Sequence, residues 1–496
     1  MVLVDGMYNS PNHYFRLRLF LDAISRNEAF RLVGVLRNSR ELAARRSLEA
    51  LGVREFLILN QAGQKTETFQ TQARRLLSGV HSHRDMLALD LPHGMPAHIF
   101  YDTALKEACH PQPSLASDVW ERHLSEALRD LAVYERFFDG NKLAHALFSH
   151  PWKNEYGTGF WMALSRGVPT YHLTAYYESL RILQFRSPDD YADRKEKLEY
   201  AAFHALPPSL RDNIKARGRA YLAERIEGNT TDINGSRAFN PNCRELDRSR
   251  ARRVLGVDND RPIALVCAHA WCDFPHNQDL ANFSDFKDWI TLTIETIRGV
   301  EDVIWFLKPH PLESWYGGFH LADAVGDLPD HVRILSEKTD SATSLAGADV
   351  AVTVYGTIGI EAVANGTPVI AADRSYYSDW RLTHEAADRE DYVRLLRNAA
   401  HLAKPSQEKQ DEAAAFAYLA MAPHPEDAGL MHLVCDSTGP EVPRFVIRQI
   451  TEGKWDAYNR EVASVASWLA SGSRSYSVDI KMAHVLAQAD AERASA

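Results

Sequence analysis

Apolar residues come in short runs separated by longer stretches in which they recur at helical spacing. Residues 2–4 (Val-Leu-Val) lead through a polar loop, 5–13, into Phe15, Leu17, Leu19, Phe20 and Ile24, which predicts a strand, a loop and a helix. The apolar run 32–36, a helix over about 39–51 closed by Gly52, and the run 56–59 continue the series. A strand at 144–149, a helix at 157–166 and a strand at 170–173 extend it. Alternation of this kind builds βαβ units and a parallel sheet. A charged helical stretch, 193–226, and a Gly/Asn/Ser/Arg-rich segment, 228–242, then interrupt the pattern and read as a connection between domains. A second series opens at 263–267 and runs through a helix near 286–298, strands at 303–307, 332–335 and 350–354, a helix from about Gly359, and a strand at 369–372. Beyond Glu408 the chain reads as amphipathic helix, residues 455–468 included. The expected fold is α/β, with two doubly wound domains facing across a cleft. The first spans 1–227, the connection 228–260, the second domain 261–400, and a helical segment, 401–496, packs back on them.

Composition narrows the function classes. With 496 residues, 45% of them hydrophobic, the chain can bury two large cores. Acidic residues outnumber basic ones, 66 to 56, for a net charge of −10, which excludes a nucleic-acid-coating surface but leaves room for a local basic pocket. Five cysteines, at 109, 243, 267, 272 and 435, form neither a metal-ligand spacing nor a disulfide framework and suit a reducing compartment. The first residues acquire charge at Asp5 and lack the profile of a secretion signal, and no run approaches the ~18 apolar residues of a membrane span. A cytoplasmic location is expected, with peripheral docking at the inner face of the membrane left open.

Three segments of the second series carry candidate chemistry. In the first, a buried strand delivers Tyr355-Gly356-Thr357-Ile358-Gly359-Ile360-Glu361 into a helix, whose first-turn N–H groups can seat a phosphate while Thr357 adds a hydroxyl. Glu361, too close to a phosphate to bind it, is expected to accept from ribose hydroxyls. An ordinary crossover with glycines for close packing is the competing explanation. In the second, an apolar strand stops at Lys308-Pro309-His310-Pro311. Ligands gather at the carboxyl ends of parallel strands, where Lys308 can neutralise a phosphate and His310 can hydrogen-bond it or protonate the departing oxygen. In the third, His269, Asp273 and His276 follow the strand at 263–267 and offer acid/base groups or loop contacts. Pro275 breaks any helix that would align them on a metal, so none is expected. In the first domain His13, after the first strand, is a candidate base; alternatively it is an exposed residue beside a cap at Asn12. The segments 93–103 and 149–154 are further candidates for the cleft, each equally readable as a buried aromatic and polar turn, and composition assigns them no chemistry.

These motifs resemble those of bacterial capsule and surface-polysaccharide biosynthesis proteins, which have the two-Rossmann glycosyltransferase architecture called GT-B and are related to Kdo- and sialyl-type transferases. The resemblance rests on Gly94 through Tyr101-Asp102-Thr103, His269-Ala270 with Asp273, Pro275 and His276, the Lys308–Pro311 element, and Gly356-Thr357 with Gly359, Glu361, Gly366 and Pro368. It implies a metal-independent glycosyltransferase that moves a sugar, such as Kdo from a CMP donor, onto a glycan or glycolipid acceptor. The nucleotide sugar is then a substrate, and no separate cofactor is expected. In the related families a His-Pro pair and a Ser/Thr-bearing turn hold the nucleotide phosphate, which by similarity points to His310 and Thr357. The implied donor site is His269, Lys308, His310, Gly356, Thr357, Gly359 and Glu361, with His13 or Asp273 as the base and His310 at the leaving group. A polyol-phosphate transferase, a sugar-nucleotide epimerase and a non-catalytic binding partner of an export assembly are the rival readings.

Overall fold

The structure, a computed structural model, describes residues 1–60, 66–174, 179–228, 233–239, 244–278, 280–315, 318–423, 452 and 454–495. The chain folds as two compact units. One comprises Met1–Ala104, Ser114–Glu196 and Pro423–His484, the other Leu105–Pro113, Lys197–Ala422 and Val485–Ala496.

The sheet of the first unit contains β1 (Val2–Asp5), β2 (Leu32–Leu36), β3 (Glu55–Ile58), β4 (His145–Phe148), β5 (Thr170–Thr174) and β6 (Arg181–Phe185). Its order is β3-β2-β1-β4-β5-β6, parallel except for β6, which runs antiparallel to β5. Helices α1 (Pro11–Ile24), α2 (Leu42–Ala50), α3 (Thr66–Leu77), α4 (His83–Leu87), α5 (His98–Ala108), α6 (Asp118–Asp139) and α7 (Thr158–Ser165) connect and cover the strands, α5 ending in the second unit. The first strand reverses direction into α1 at Ser10, and Pro11 starts the helix, where its missing N–H costs nothing. Phe15, Leu19 and Phe20 of α1 pack with Val2, Val4, Leu147 and Tyr171 into one core.

The second unit repeats the plan. Its strands are β7 (Ile263–Cys267), β8 (Ile304–Lys308), β9 (Val332–Ile334), β10 (Val350–Thr353), β11 (Val369–Ala371) and β12 (His384–Glu385), in the order β12-β11-β10-β7-β8-β9 and parallel throughout. Its helices are α8 (Tyr200–His204), α9 (Pro208–Ile226), α10 (Ile233–Ala238), α11 (Arg248–Val254), α12 (Phe286–Ile297), α13 (Leu321–Val325), α14 (Ser341–Gly347), α15 (Ile358–Ala364), α16 (Arg389–Arg397) and α17 (Gln407–Ala420). After it the chain forms α18 (Trp455–Ser471) and α19 (Tyr476–Ser495). Among the described residues no helix is long and apolar enough to cross a membrane. Two doubly wound α/β sheets and a helical C-terminal segment are therefore present.

Three expectations need correction. Residues 193–226 are not one helix: Pro207 and Pro208 start α9 afresh. Residues 197–227 also fold with the second unit, because Gly218 of α9 lies against the backbone of Ala414 on α17, where a Cβ would collide. The segment 228–260 contains α10 and α11 rather than loop alone, although residues 229–232 and 240–243 lie outside the described set. The C-terminal helices divide between the units. In the first, the Tyr458 hydroxyl of α18 donates to Asp22 of α1, with Phe15 edge-on to the Tyr458 ring; in the second, α17 covers α9.

Candidate functional site

In both sheets the crossovers change direction beside the first strand, between β1 and β4 and between β7 and β10. Loops diverge there and leave a crevice outside the carboxyl ends of the strands. In the second unit that crevice is a cavity of about 120 Å³, lined by Arg225, His269, Lys308, His310, Ser341, Thr353, Gly356, Thr357 and Glu361, with Cys267 and the Pro309 and Pro311 rings among its walls. That volume is room for several waters.

Lys308 ends β8. Its Nζ donates to the Thr339 carbonyl at 2.7 Å, which leaves further ammonium protons for a ligand. Burial lowers its pKa, with the nearby Cys267 and Asp340 acting in the opposite direction. At His310 the Leu312 amide donates to Nδ1 at 3.2 Å, so the ring proton sits on Nε2. Burial pushes its pKa down to about 4; the Asp273 charge opposes this and Lys308 reinforces it. His310 is thus a neutral N–H donor at pH 7. Of the two roles expected for it, hydrogen-bonding the phosphate and protonating the departing oxygen, these surroundings favour the first.

Thr357 occupies the cap position of α15, but its hydroxyl does not cap the helix. The first-turn donors are fewer than expected. Gly359 N–H bonds the Gly356 carbonyl and Ile360 N–H bonds that of Thr357, leaving the Thr357 and Ile358 amides without partners among the described residues. Gly359 does not line the cavity. It is glycine because a Cβ would stand 2.5 Å from the Tyr377 hydroxyl, which donates to the Gly356 carbonyl and fixes the turn. Gly356 does line it, where a Cβ would meet the Thr353 hydroxyl at 2.9 Å. His269 stacks on Phe286 and hydrogen-bonds Thr353 at 3.2 Å, and burial lowers its pKa to about 3.

Glu361 lines the cavity but is already paired through one oxygen. Its carboxylate is 5% exposed and accepts from Arg225 Nε at 2.8 Å, the guanidinium being 3% exposed. Sequence reading missed Arg225, which lies in the last turn of α9, more than a hundred residues from the motif it serves. Asp273 stands outside the cavity lining and accepts from Lys106 Nζ at 3.0 Å, an ion pair in place of a free base. His276 is buried. Among the described residues, the carboxylates and histidines close enough to share a cation are Glu313, His320 and Glu337, not His269, Asp273 and His276. His13 belongs to the first unit, where it is fully buried with Nε2 on the Asp5 carbonyl at 2.9 Å. Burial drives its pKa well below the ordinary value. Ser10, not Asn12, takes the cap position of α1. In the 93–103 segment, Thr103 accepts from the Asn154 amide and donates to the Ile99 carbonyl.

No protein-family model matches the chain, and no curated protein sequence matches it. Among solved structures, it is similar to Thermosulfurimonas dismutans KpsC, a beta Kdo 2,4 transferase, with 15% identity over 55% of this chain and 79% of that one and a TM-score of 0.38. The beta Kdo 2,7 transferase of the same organism's KpsC gives 16% identity over 57% and 80% and a TM-score of 0.29. The UDP-GlcNAc 2-epimerase of Neisseria meningitidis gives 9% over 84% and 94% and a TM-score of 0.26.

Proposed function

We propose that this chain is a glycosyltransferase of the GT-B type, with the nucleotide-sugar phosphate held in the cavity of the second unit. The observation that carries the reading is that Lys308, Arg225, His310, with its proton on Nε2, and Thr357 all line one crevice. Two cations less one carboxylate, Glu361, leave a single net positive charge, which suits a nucleoside monophosphate better than a diphosphate. The reading therefore favours a donor of the CMP-activated, acidic-sugar class. As the anomeric C–O bond breaks, charge grows on the phosphate. Fixed donors in a desolvated pocket stabilise that charge more in the transition state than in the ground state. An acceptor hydroxyl on a glycan or glycolipid then takes the sugar and gives up its proton.

Thermal shift of the full chain with CMP, CDP, UDP and GDP tests this. A ligand that binds only the folded state stabilises it by about 2.7 kcal/mol at a hundred times its Kd. CMP is expected to stand out, and His310→Ala to abolish its effect. A response to UDP alone would move the donor to the class that an epimerase also takes, and no response to any nucleotide would refute the assignment.

A further inference from the structure

The carboxyl ends of β1 and β4, at the switch point of the first sheet, are also furnished with polar groups. Asp5 ends β1, and Ser149 and His150 follow β4, so one chain of hydrogen bonds crosses between the two strands. The Ser149 hydroxyl lies 2.6 Å from Asp5 Oδ2, and His150 Nδ1 lies 3.0 Å from Ser149 Oγ. The Met7 and Ser149 amides donate to the two Asp5 oxygens, fixing the carboxylate in place. An ionised carboxylate only accepts, so Ser149 donates to Asp5 and His150 Nδ1–H donates to Ser149. That leaves a lone pair on His150 Nε2, which has no hydrogen-bond partner among the described residues. The half-buried ring is bordered by Tyr8, 37% exposed, at 4.9 Å between centroids, by Tyr156 at 5.2 Å and by Trp152 at 5.4 Å. Aromatic rings around one oriented polar atom form a surface that suits a sugar.

We infer that this crevice binds a hydroxyl-bearing sugar substrate and that His150 Nε2 takes its proton, Ser149 and Asp5 relaying the charge. The substrate O–H bond breaks as Nε2–H forms; Nδ1 passes its proton to Ser149 Oγ, which passes its own to Asp5 Oδ2. His150 ends neutral with its tautomer exchanged, and Asp5 ends protonated. This assignment rests on the transferase reading and replaces His13, whose enclosed ring is anchored on Asp5, as the base of the first unit. Burial supports the direction of the relay. The Asp5 pKa is pushed up to about 6, making it the stronger proton acceptor, while that of His150 falls to about 3. The ionisable groups facing the relay are Tyr8 after β1, Arg16, His13 and Tyr14 from α1, Lys153, Glu155 and Tyr156 after β4, Tyr134 from α6 and His172 from β5. Arg16 and Lys153 hold His150 neutral, and Glu155 favours the protonated form of Asp5.

Nitrogen NMR of the full chain, labelled at histidine, reads the relay without any substrate. His150 is expected as the Nδ1–H tautomer at pH 7.5. It should switch to Nε2–H, without forming imidazolium, as Asp5 gains its proton near pH 6. Ser149→Ala should give the Nε2–H tautomer at pH 7.5, and Ser149→Thr should restore Nδ1–H. A wild-type ring protonated on Nε2 at pH 7.5, or a tautomer indifferent to Ser149→Ala, overturns the relay. The second arm follows nucleotide release from CMP-Kdo with water as the acceptor. His150→Gln should lower kcat a hundredfold or more with KM for the donor unchanged, the size of a lost general base. Wild-type turnover in His150→Gln would remove His150 from the reaction. A wild-type chain that releases no nucleotide, yet shows the tautomer switch, would count against the transferase reading and leave the relay standing.

Discussion

At the scale of single residues, burial is what converts common side chains into specific tools. His310, accepting at Nδ1 from Leu312 and desolvated to a pKa of about 4, is a fixed donor that carries no charge of its own. His310→Ala should therefore weaken nucleotide binding at least tenfold at pH 7.5, the loss of one hydrogen bond to a charged group. Between pH 6.5 and 8 that loss should stay constant, since the ring titrates below this window; calorimetric Kd values across the range measure it. A loss that grows steeply toward pH 6.5 would mean that His310 binds as a cation. Asp5 shows the opposite case. Burial raises its pKa from 3.8 to about 6, so the folded chain holds that proton more tightly than the unfolded chain. The stability it contributes is complete below pH 4 and is lost as the pH rises through about 6. Asp5→Asn removes this dependence and should gain about 2 kcal/mol on the wild type between pH 4 and 7.5, on top of a pH-independent offset. Urea midpoints of the two proteins at both pH values provide the comparison.

At the scale of elements, the buried pairings decide which segments belong together. Gly218 lets α9 lie directly on α17, and Gly218→Ala should cost the second unit about 1–3 kcal/mol, read as a lowered unfolding midpoint. The Arg225–Glu361 pair ties the end of α9 to α15 and shapes the cavity at the same time. Arg225→Gln should destabilise by about 3–5 kcal/mol by leaving Glu361 buried and alone, and Glu361→Gln in addition should recover much of it. A single variant as stable as the wild type would show that the pair does not hold these helices. Ten of the twelve described strands were legible as short apolar runs, with predicted ends within one residue of those observed; β6 and the two-residue β12 were not picked out. α3 to α6 were not picked out, although α6 carries a readable signal: Ser117, accepting from the Val119 amide, and then Val119, Leu124, Leu128 and Leu131 at helical spacing. What no local pattern contains is partnership across the chain. Nothing near 218 or 225 announces 414 or 361.

At the scale of the whole molecule, one topology is used twice, and each sheet brings its chemistry to the same place, the carboxyl ends of the strands that flank the switch in direction. Position along the chain brought Lys308, His310, Gly356 and Thr357 together in the reading, because each ends or follows a strand of the same sheet, and all four line one crevice. It misled at Asp273, which is turned to Lys106, and at Glu361 and Gly359, whose roles are set by the distant Arg225 and Tyr377. It marked Ser149 and His150 only as part of a candidate cleft loop, and they acquire meaning only once β4 is known to lie beside β1. The central claim is that Lys308 and His310 grip the phosphate of a nucleotide. Calorimetric titration of CMP into the full chain and into Lys308→Ala and His310→Ala variants is the most direct measurement of it. The account predicts saturable one-to-one binding to the wild type and at least a tenfold loss in each variant whose thermal unfolding is otherwise unchanged. Equal affinity in all three proteins would contradict it.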